Sequence, residues 1–205
     1  YIIRKKENNF AINTIENEKE KLPDIKYIIT LDSDTNLIMD SVSKLVGAMD
    51  HILNQPIIKK QKVVKGYGIM QPRIGLDLEI AQKTYFVELF SMQGGIDLYS
   101  NAISDIYQDN FKEGIFTGKG IYNLKVYDQI LKDEIPENTV LSHDLLEGNY
   151  LRCGLLTDVT LMDGYPLKYI PYIKRNHRWV RGDWQIFKWL FNDKLNEISK
   201  FKIYD

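Results

Sequence analysis

An α/β domain with a mainly parallel sheet flanked by helices is the fold this chain predicts, and three observations carry that expectation. The run Tyr27 to Leu31 is β-branched, aromatic or aliphatic without a charge, as in a short strand buried inside a parallel sheet. Apolar residues at helical spacing follow it, and a second strand-like run comes after them; strand, helix and strand in that order imply a right-handed crossover. At 205 residues, 44% hydrophobic and 27% charged, the composition is that of one soluble globular domain with material for a core.

Composition also excludes several classes. A formal net charge of -1 lacks the basic excess of a dedicated nucleic-acid binder. The one cysteine, Cys153, cannot form an internal disulfide and reads as a small buried residue in a reducing compartment. No apolar run approaches the roughly 18 to 20 residues that span a bilayer, and Arg4, Lys5, Lys6 and Glu7 replace any signal-peptide core. Because the chain begins with Tyr rather than Met, it reads as a piece of something longer. We divide it into a polar lead-in over 1–24, a core over 25–190 and a tail over 191–205, within a single domain.

The first strand stops on Asp32 and Asp34. Ligand crevices of open α/β sheets lie beyond the carboxyl ends of strands, and residues i and i+2 of an extended segment point the same way. Both carboxylates can then serve one divalent cation holding a diphosphate, since such a cation takes hard oxygen ligands. Asp-Ser-Asp-Thr-Asn is equally good turn and cap chemistry. A calcium loop fails, because Leu37 replaces the required Gly and Ser43 the bidentate Glu.

Asp40 or Ser41 caps the next helix, whose apolar positions are Val42, Leu45, Val46, Met49, Ile52 and Leu53; Gln55-Pro56 ends it. His51 lacks neighbours at ligand spacing and reads as a surface or packing residue. Val63 to Gln71 is a strand closed by Pro72, and Ile80 to Met92 a helix with Phe86, Leu89 and Phe90 on its core face. Gly94-Gly95 breaks that helix, and Ile96 to Asn110 is either an irregular loop or a short helix.

Three later stretches bear chemistry. Gly114 to Tyr122 carries three glycines and Lys119 but neither nucleotide-binding fingerprint; it is a structural turn or a tight backbone beside a ligand, with Lys119 offered to a phosphate or sugar hydroxyl. In Leu141 to Gly148, Ser142 is a candidate N-cap and Asp144 stands in the first turn, as a macrodipole-favoured cap residue or as a general base. Glu147, one turn on, either orients a substrate or accepts a hydrogen bond from the loop. In Lys174 to Trp189, Arg175, Arg178 and Arg181 recur every third residue and share a face suited to an anionic leaving group, while Trp179 and Trp184 offer stacking surfaces for sugar rings.

Taken in order, an Asp-x-Asp after a strand, an acidic residue opening a helix and an Arg-x-x-Arg-Trp resemble processive inverting glycosyltransferases related to family 2. The likeness sharpens toward one group, family 84. The segments Leu31 to Thr35, Gly68 to Arg73, Tyr107 to Asp109, Gly118 to Tyr122, Leu141 to Gly148 and His177 to Gln185 look like the transferase domain of cyclic β-1,2-glucan synthases, over roughly Lys26 to Leu190.

That resemblance implies a GT-A-type fold, UDP-glucose as donor, a glucan as acceptor, Mg²⁺ or Mn²⁺ as cofactor, and inversion to a β-1,2 linkage. It gives Asp32 and Asp34 the metal-diphosphate role and Asp144 the role of base. Arg178, Arg181 and Lys119 would serve the donor diphosphate, and Trp179, Glu147, Arg175 and Trp184 the acceptor. Arg175 occupies the position where the family pattern has Gln. Family members also place a nucleotide-binding half ahead of the Asp-x-Asp strand, so the chain is expected to lack that half, to self-associate, and to belong to a larger protein with flanking membrane helices at the cytoplasmic face of the inner membrane. Two other classes fit the same residues: a nucleotidyltransferase making sugar nucleotides, and a non-catalytic glucan-binding fragment.

Overall fold

The computed structural model describes residues 24–91, 106–132, 134–135, 139–187 and 189. The expected lead-in up to residue 23, the Gly94-Gly95 break, residues 96–105 and the 191–205 tail lie outside them.

The described elements are β1 (Tyr27–Thr30), β2 (Thr35–Leu37), α1 (Ser41–Asp50), β3 (Ile57–Lys59), β4 (Lys62–Lys65), β5 (Ile69–Leu76), α2 (Leu78–Ala81), α3 (Tyr85–Ser91), α4 (Ile106–Phe111), β6 (Gly120–Asn123), α5 (Leu124–Leu131), α6 (Asp144–Leu151), β7 (Cys153–Asp163) and α7 (Tyr169–Ile186). Five strands form one sheet in the order β1-β6-β5-β7-β2, and β3 and β4 form a separate hairpin. The class is α/β, but the expected mainly parallel sheet is corrected: β5 and β7 run parallel, while β1 with β6, β6 with β5 and β2 with β7 are antiparallel. An uncharged run does not say which way a strand's neighbour points.

The crossover inference failed at a specific place. Lys60 and Gln61 both have positive φ, 47° and 59°, which turns the chain back on itself so that β4 pairs with β3 instead of β1. β1 is also half-buried at one end of the strand order rather than enclosed. Pro72 does not close a strand: β5 runs on to Leu76, and the pairing with β7 shifts register between Pro72 and Arg73. A residue without an N–H is tolerated at such an irregularity.

Both faces of the sheet are covered. Successive strand residues point to opposite sides, so Ile69 and Tyr122 join one core with Val126, Ile130, Leu146, Tyr150 and Leu151 of α5 and α6. Their neighbours Met70 and Ile121 join the other, with Leu45 and Met49 of α1. Asp40 precedes α1 in the left-handed region, at φ 64°, and makes no side-chain cap, contrary to expectation; the Gln55 side chain instead closes the carboxyl end, donating to Met49 O at 3.1 Å and Asp50 O at 3.0 Å. The helix expected over 80–92 is split into α2 and α3, with the Thr84 hydroxyl accepting from Val87 N at 3.2 Å to start the second. Pro171 falls in the first turn of α7, where its missing N–H costs no intrahelical bond. Among the described residues no helix is long and apolar enough to cross a membrane.

Candidate active site

Carboxylates gather at one rim of the sheet, where β1, β5 and β7 end and β2 and β6 begin. Asp32 and Asp34 lie there on a turn closed by Thr35 N donating to Asp32 O at 3.1 Å, so they are not on extended backbone as the spacing argument assumed. Both are exposed. The turn exists because β2 leaves at once to pair with β7, placing Thr35 opposite Asp163.

Asp163 is the residue that sequence reasoning missed. It is buried, accepts a hydrogen bond from Thr35 Oγ1 at 2.6 Å and is ion-paired with Lys119, whose ammonium also stands 3.2 Å from Asp32. Burial works against charging Lys119, but Asp163 and then Asp32 outweigh it and raise its pKa. Lys119 is therefore held at the rim by two carboxylates. The signal for Asp163 was a strand-like stretch ending on Asp before Gly164 and Pro166, the same pattern that drew attention to Asp32.

The loop ahead of β6 is fixed from behind. Buried Gln71 accepts from Thr117 N at 2.9 Å and from Thr117 Oγ1 at 3.1 Å, and Gly118 O accepts from Thr30 Oγ1 at 3.1 Å. At φ +92° Gly118 adopts a conformation L residues rarely take, and a Cβ there would stand 3.2 Å from the Asp144 carboxylate. Gly120 is needed for contact: a Cβ would meet Met70 O at 2.1 Å. The glycines thus bring backbone against Asp144 and the neighbouring strand.

Asp144 opens α6. Ser142 does not cap the helix; His143 occupies the N-cap without a side-chain bond, and Ser142 Oγ donates to Asp144 Oδ2 at 3.0 Å. Burial raises the Asp144 pKa, the Ser142 hydrogen bond lowers it, and Glu147 and Asp32 add to the rise while His143 opposes it. Glu147 is buried with both oxygens engaged, Oε1 by His143 Nδ1 at 2.9 Å and Oε2 by the Tyr122 hydroxyl at 2.5 Å. Glu147 raises the His143 pKa, and burial of Tyr122 beside it raises that phenol.

Helix α7 docks on the same loop. A Cβ at Gly182 would lie 3.2 Å from Ser142 Cβ, and Gln185 Oε1 accepts from Leu141 N at 2.8 Å. Arg178, Gly182 and Gln185 recur at spacings of four and three along α7 and so share a helix face. Arg178 and Arg181 are exposed, Trp179 is 46% and Trp184 71% exposed. Arg175 sits among rings, its guanidinium carbon 4.7 Å from the Trp179 centroid, 5.0 Å from Tyr165 and 5.9 Å from Tyr172.

Two places offer ligands for a cation. His143, Asp144 and Glu147 present donor atoms within 4.8 Å of one another, but the His143 to Glu147 and Tyr122 to Glu147 bonds already occupy most of that set. Asp32 and Asp34 are exposed carboxylates, the kind of hard oxygen donor a divalent ion takes, and Asp32 faces the Lys119 ammonium at 3.2 Å.

No family model matches the chain. It is 45% identical over 186 residues to the cyclic beta-(1,2)-glucan synthase NdvB of Rhizobium meliloti (strain 1021). The match takes in 88% of this chain and 7% of that protein. The expected likeness to cyclic β-1,2-glucan synthases is therefore found, and the chain is related to a short stretch of one.

Proposed function

We propose that this relative of a cyclic β-(1,2)-glucan synthase is part of an inverting glucosyltransferase domain, of GT-A type, that uses UDP-glucose to form β-1,2-glucan. The observation that carries the reading is the placement of Asp144. It opens a helix against the Gly118 backbone, close enough to Asp32 to feel its charge, while α7, the helix that carries the arginines, docks on the adjoining loop through Gly182 and Gln185.

Asp144 takes the proton of an acceptor glucose hydroxyl as that oxygen attacks the anomeric carbon. The new C–O bond forms on the face opposite UDP, the bond to the diphosphate breaks, and the configuration inverts. A carboxylate with raised proton affinity is a stronger base, and Ser142 fixes which oxygen is used. Arg178 and Arg181 stabilise charge growing on the departing diphosphate, and Lys119 adds fixed positive charge at Asp32. Asp32 and Asp34 would hold Mg²⁺ or Mn²⁺, which when bound supplies positive charge to the diphosphate oxygens. Trp179 and Trp184 stack on the acceptor chain. The parent protein works at the cytoplasmic face of the inner membrane.

The test is a product assay on the full-length protein given UDP-glucose, Mn²⁺ and a short β-1,2-glucan. UDP release matched by glucan elongation is expected. Pyrophosphate release from UTP and glucose 1-phosphate would instead identify a nucleotidyltransferase, and oligosaccharide binding without either product would leave only a glucan-binding role.

A further inference from the structure

We infer that Arg175 is a phosphate-binding residue, held by aromatic rings beside the acidic rim so that its in-plane donors are kept for an anionic ligand. The inference rests on the site read above and assigns to it a contact on the diphosphate side rather than the acceptor side.

Three observations combine. The guanidinium lies among the faces of Tyr165, Tyr172 and Trp179, and Tyr165 is buried and stacked with Tyr172 at 6.0 Å, so the cage is anchored to the fold. Ring faces engage the flat surfaces of a guanidinium and leave its N–H edge available. Arg175 Nε is buried and makes no hydrogen bond, and among the described residues no ion pair involves Arg175. An unmet buried donor is costly. Lastly, Tyr165, whose ring lies 5.0 Å from the guanidinium, follows Gly164, whose N–H donates to Asp34 O at 3.1 Å, and the Asp34 charge is felt at Arg175, so the cage stands next to the Asp34 turn. A phosphate oxygen between a cation held there and Arg175 would satisfy both, and the planar fork matches phosphate better than an ammonium does.

A guanidinium serving only as counter-ion to Asp34 or Asp163 is the competing role, and binding measurements separate the two. The full-length protein, Arg175→Gln and Arg175→Lys are titrated calorimetrically with inorganic pyrophosphate, UDP and uridine in the presence of Mg²⁺. Arg175→Gln is expected to weaken pyrophosphate and UDP about tenfold or more, Arg175→Lys by less, and uridine in neither. Pyrophosphate and UDP affinities within about twofold of wild type in Arg175→Gln overturn the inference, as does equal weakening of uridine. If pyrophosphate binding depends on Arg175 but UDP never binds the wild type, the phosphate site stands and the UDP-glucose reading falls. No pyrophosphate binding to the wild type removes the inference itself.

Discussion

Asp163 and Asp144 are carboxylates of the same rim that the fold treats in opposite ways. Asp163, at the end of β7, has a lysine and a threonine hydroxyl on its oxygens and is sealed from water. Asp144, at the start of α6, has one serine hydroxyl, and burial, then Glu147 and Asp32, push its pKa upward. The first arrangement ties three chain segments together. The second keeps a carboxylate short of the partners that would make its charge comfortable, as a group that must accept a proton requires. A neutralised acid is scaffold and an under-served one is available for chemistry, and the comparison can be broken at either end.

The largest effect is expected at Asp144. If it is the base, Asp144→Asn should lower glucosyl transfer by roughly 10² to 10⁴ in the full-length protein while UDP still binds. Stability should move the other way. A carboxyl whose pKa is raised on folding contributes stability that is complete below its unfolded value and lost as pH rises through the folded value. At neutral pH the amide is therefore expected to be as stable as the acid or more so, with the advantage vanishing near pH 4. Denaturant melts at pH 4 and 7 beside the transfer assay check both halves; an active mutant, or one destabilised at pH 7, makes Asp144 structural like Asp163.

Asp163→Asn should behave as the reverse case. The amide leaves Lys119 half-buried with only the exposed Asp32 as counter-charge, a broken pair worth on the order of 3 kcal/mol of stability. Any loss of activity should follow the loss of folded protein, returning when the temperature is lowered. A well-folded but inactive Asp163→Asn would show that Asp163 belongs to the chemistry, and would erase the contrast.

What the residues disclosed before folding was mainly local. Asp32, Asp34, Asp144 and the α7 arginines announce themselves through short-range patterns of strand end, helix start and three-residue spacing, and the structure gathers Asp32, Asp34, Asp144 and Arg175 at one rim. The sheet direction was not legible, because the partner of β1 is β6, some ninety positions along the chain, and apolar character is the same in either direction. Asp163 was hidden for a similar reason. Its partners Thr35 and Lys119 are 128 and 44 positions away, so nothing within its own segment marks it as paired.

The smallest effect, and the finest probe of the contrast, is at His143. Its imidazole faces Glu147 and Asp144; the Tyr122 hydroxyl holds the far oxygen of Glu147, and Asp144 meets the Ser142 hydroxyl and the charge of Asp32. The Glu147 hydrogen bond raises the His143 pKa above its ordinary 6.5. The stability this contributes is complete below 6.5 and fades as pH climbs through the raised value, since the folded protein then gives up a proton it had held more tightly than the unfolded chain. With His143 about half exposed, solvent screening keeps the contribution below about 1 kcal/mol. His143→Gln should flatten the stability profile above pH 6.5 and, by removing a positive charge beside Asp144, shift the Asp144 carboxyl further upward. The acidic limb of the transfer rate should then move to higher pH with little change in its maximum. Unaltered profiles for both stability and rate would show that His143 exerts no electrostatic hold on the base, leaving Asp144 governed by burial and by its acidic neighbours alone.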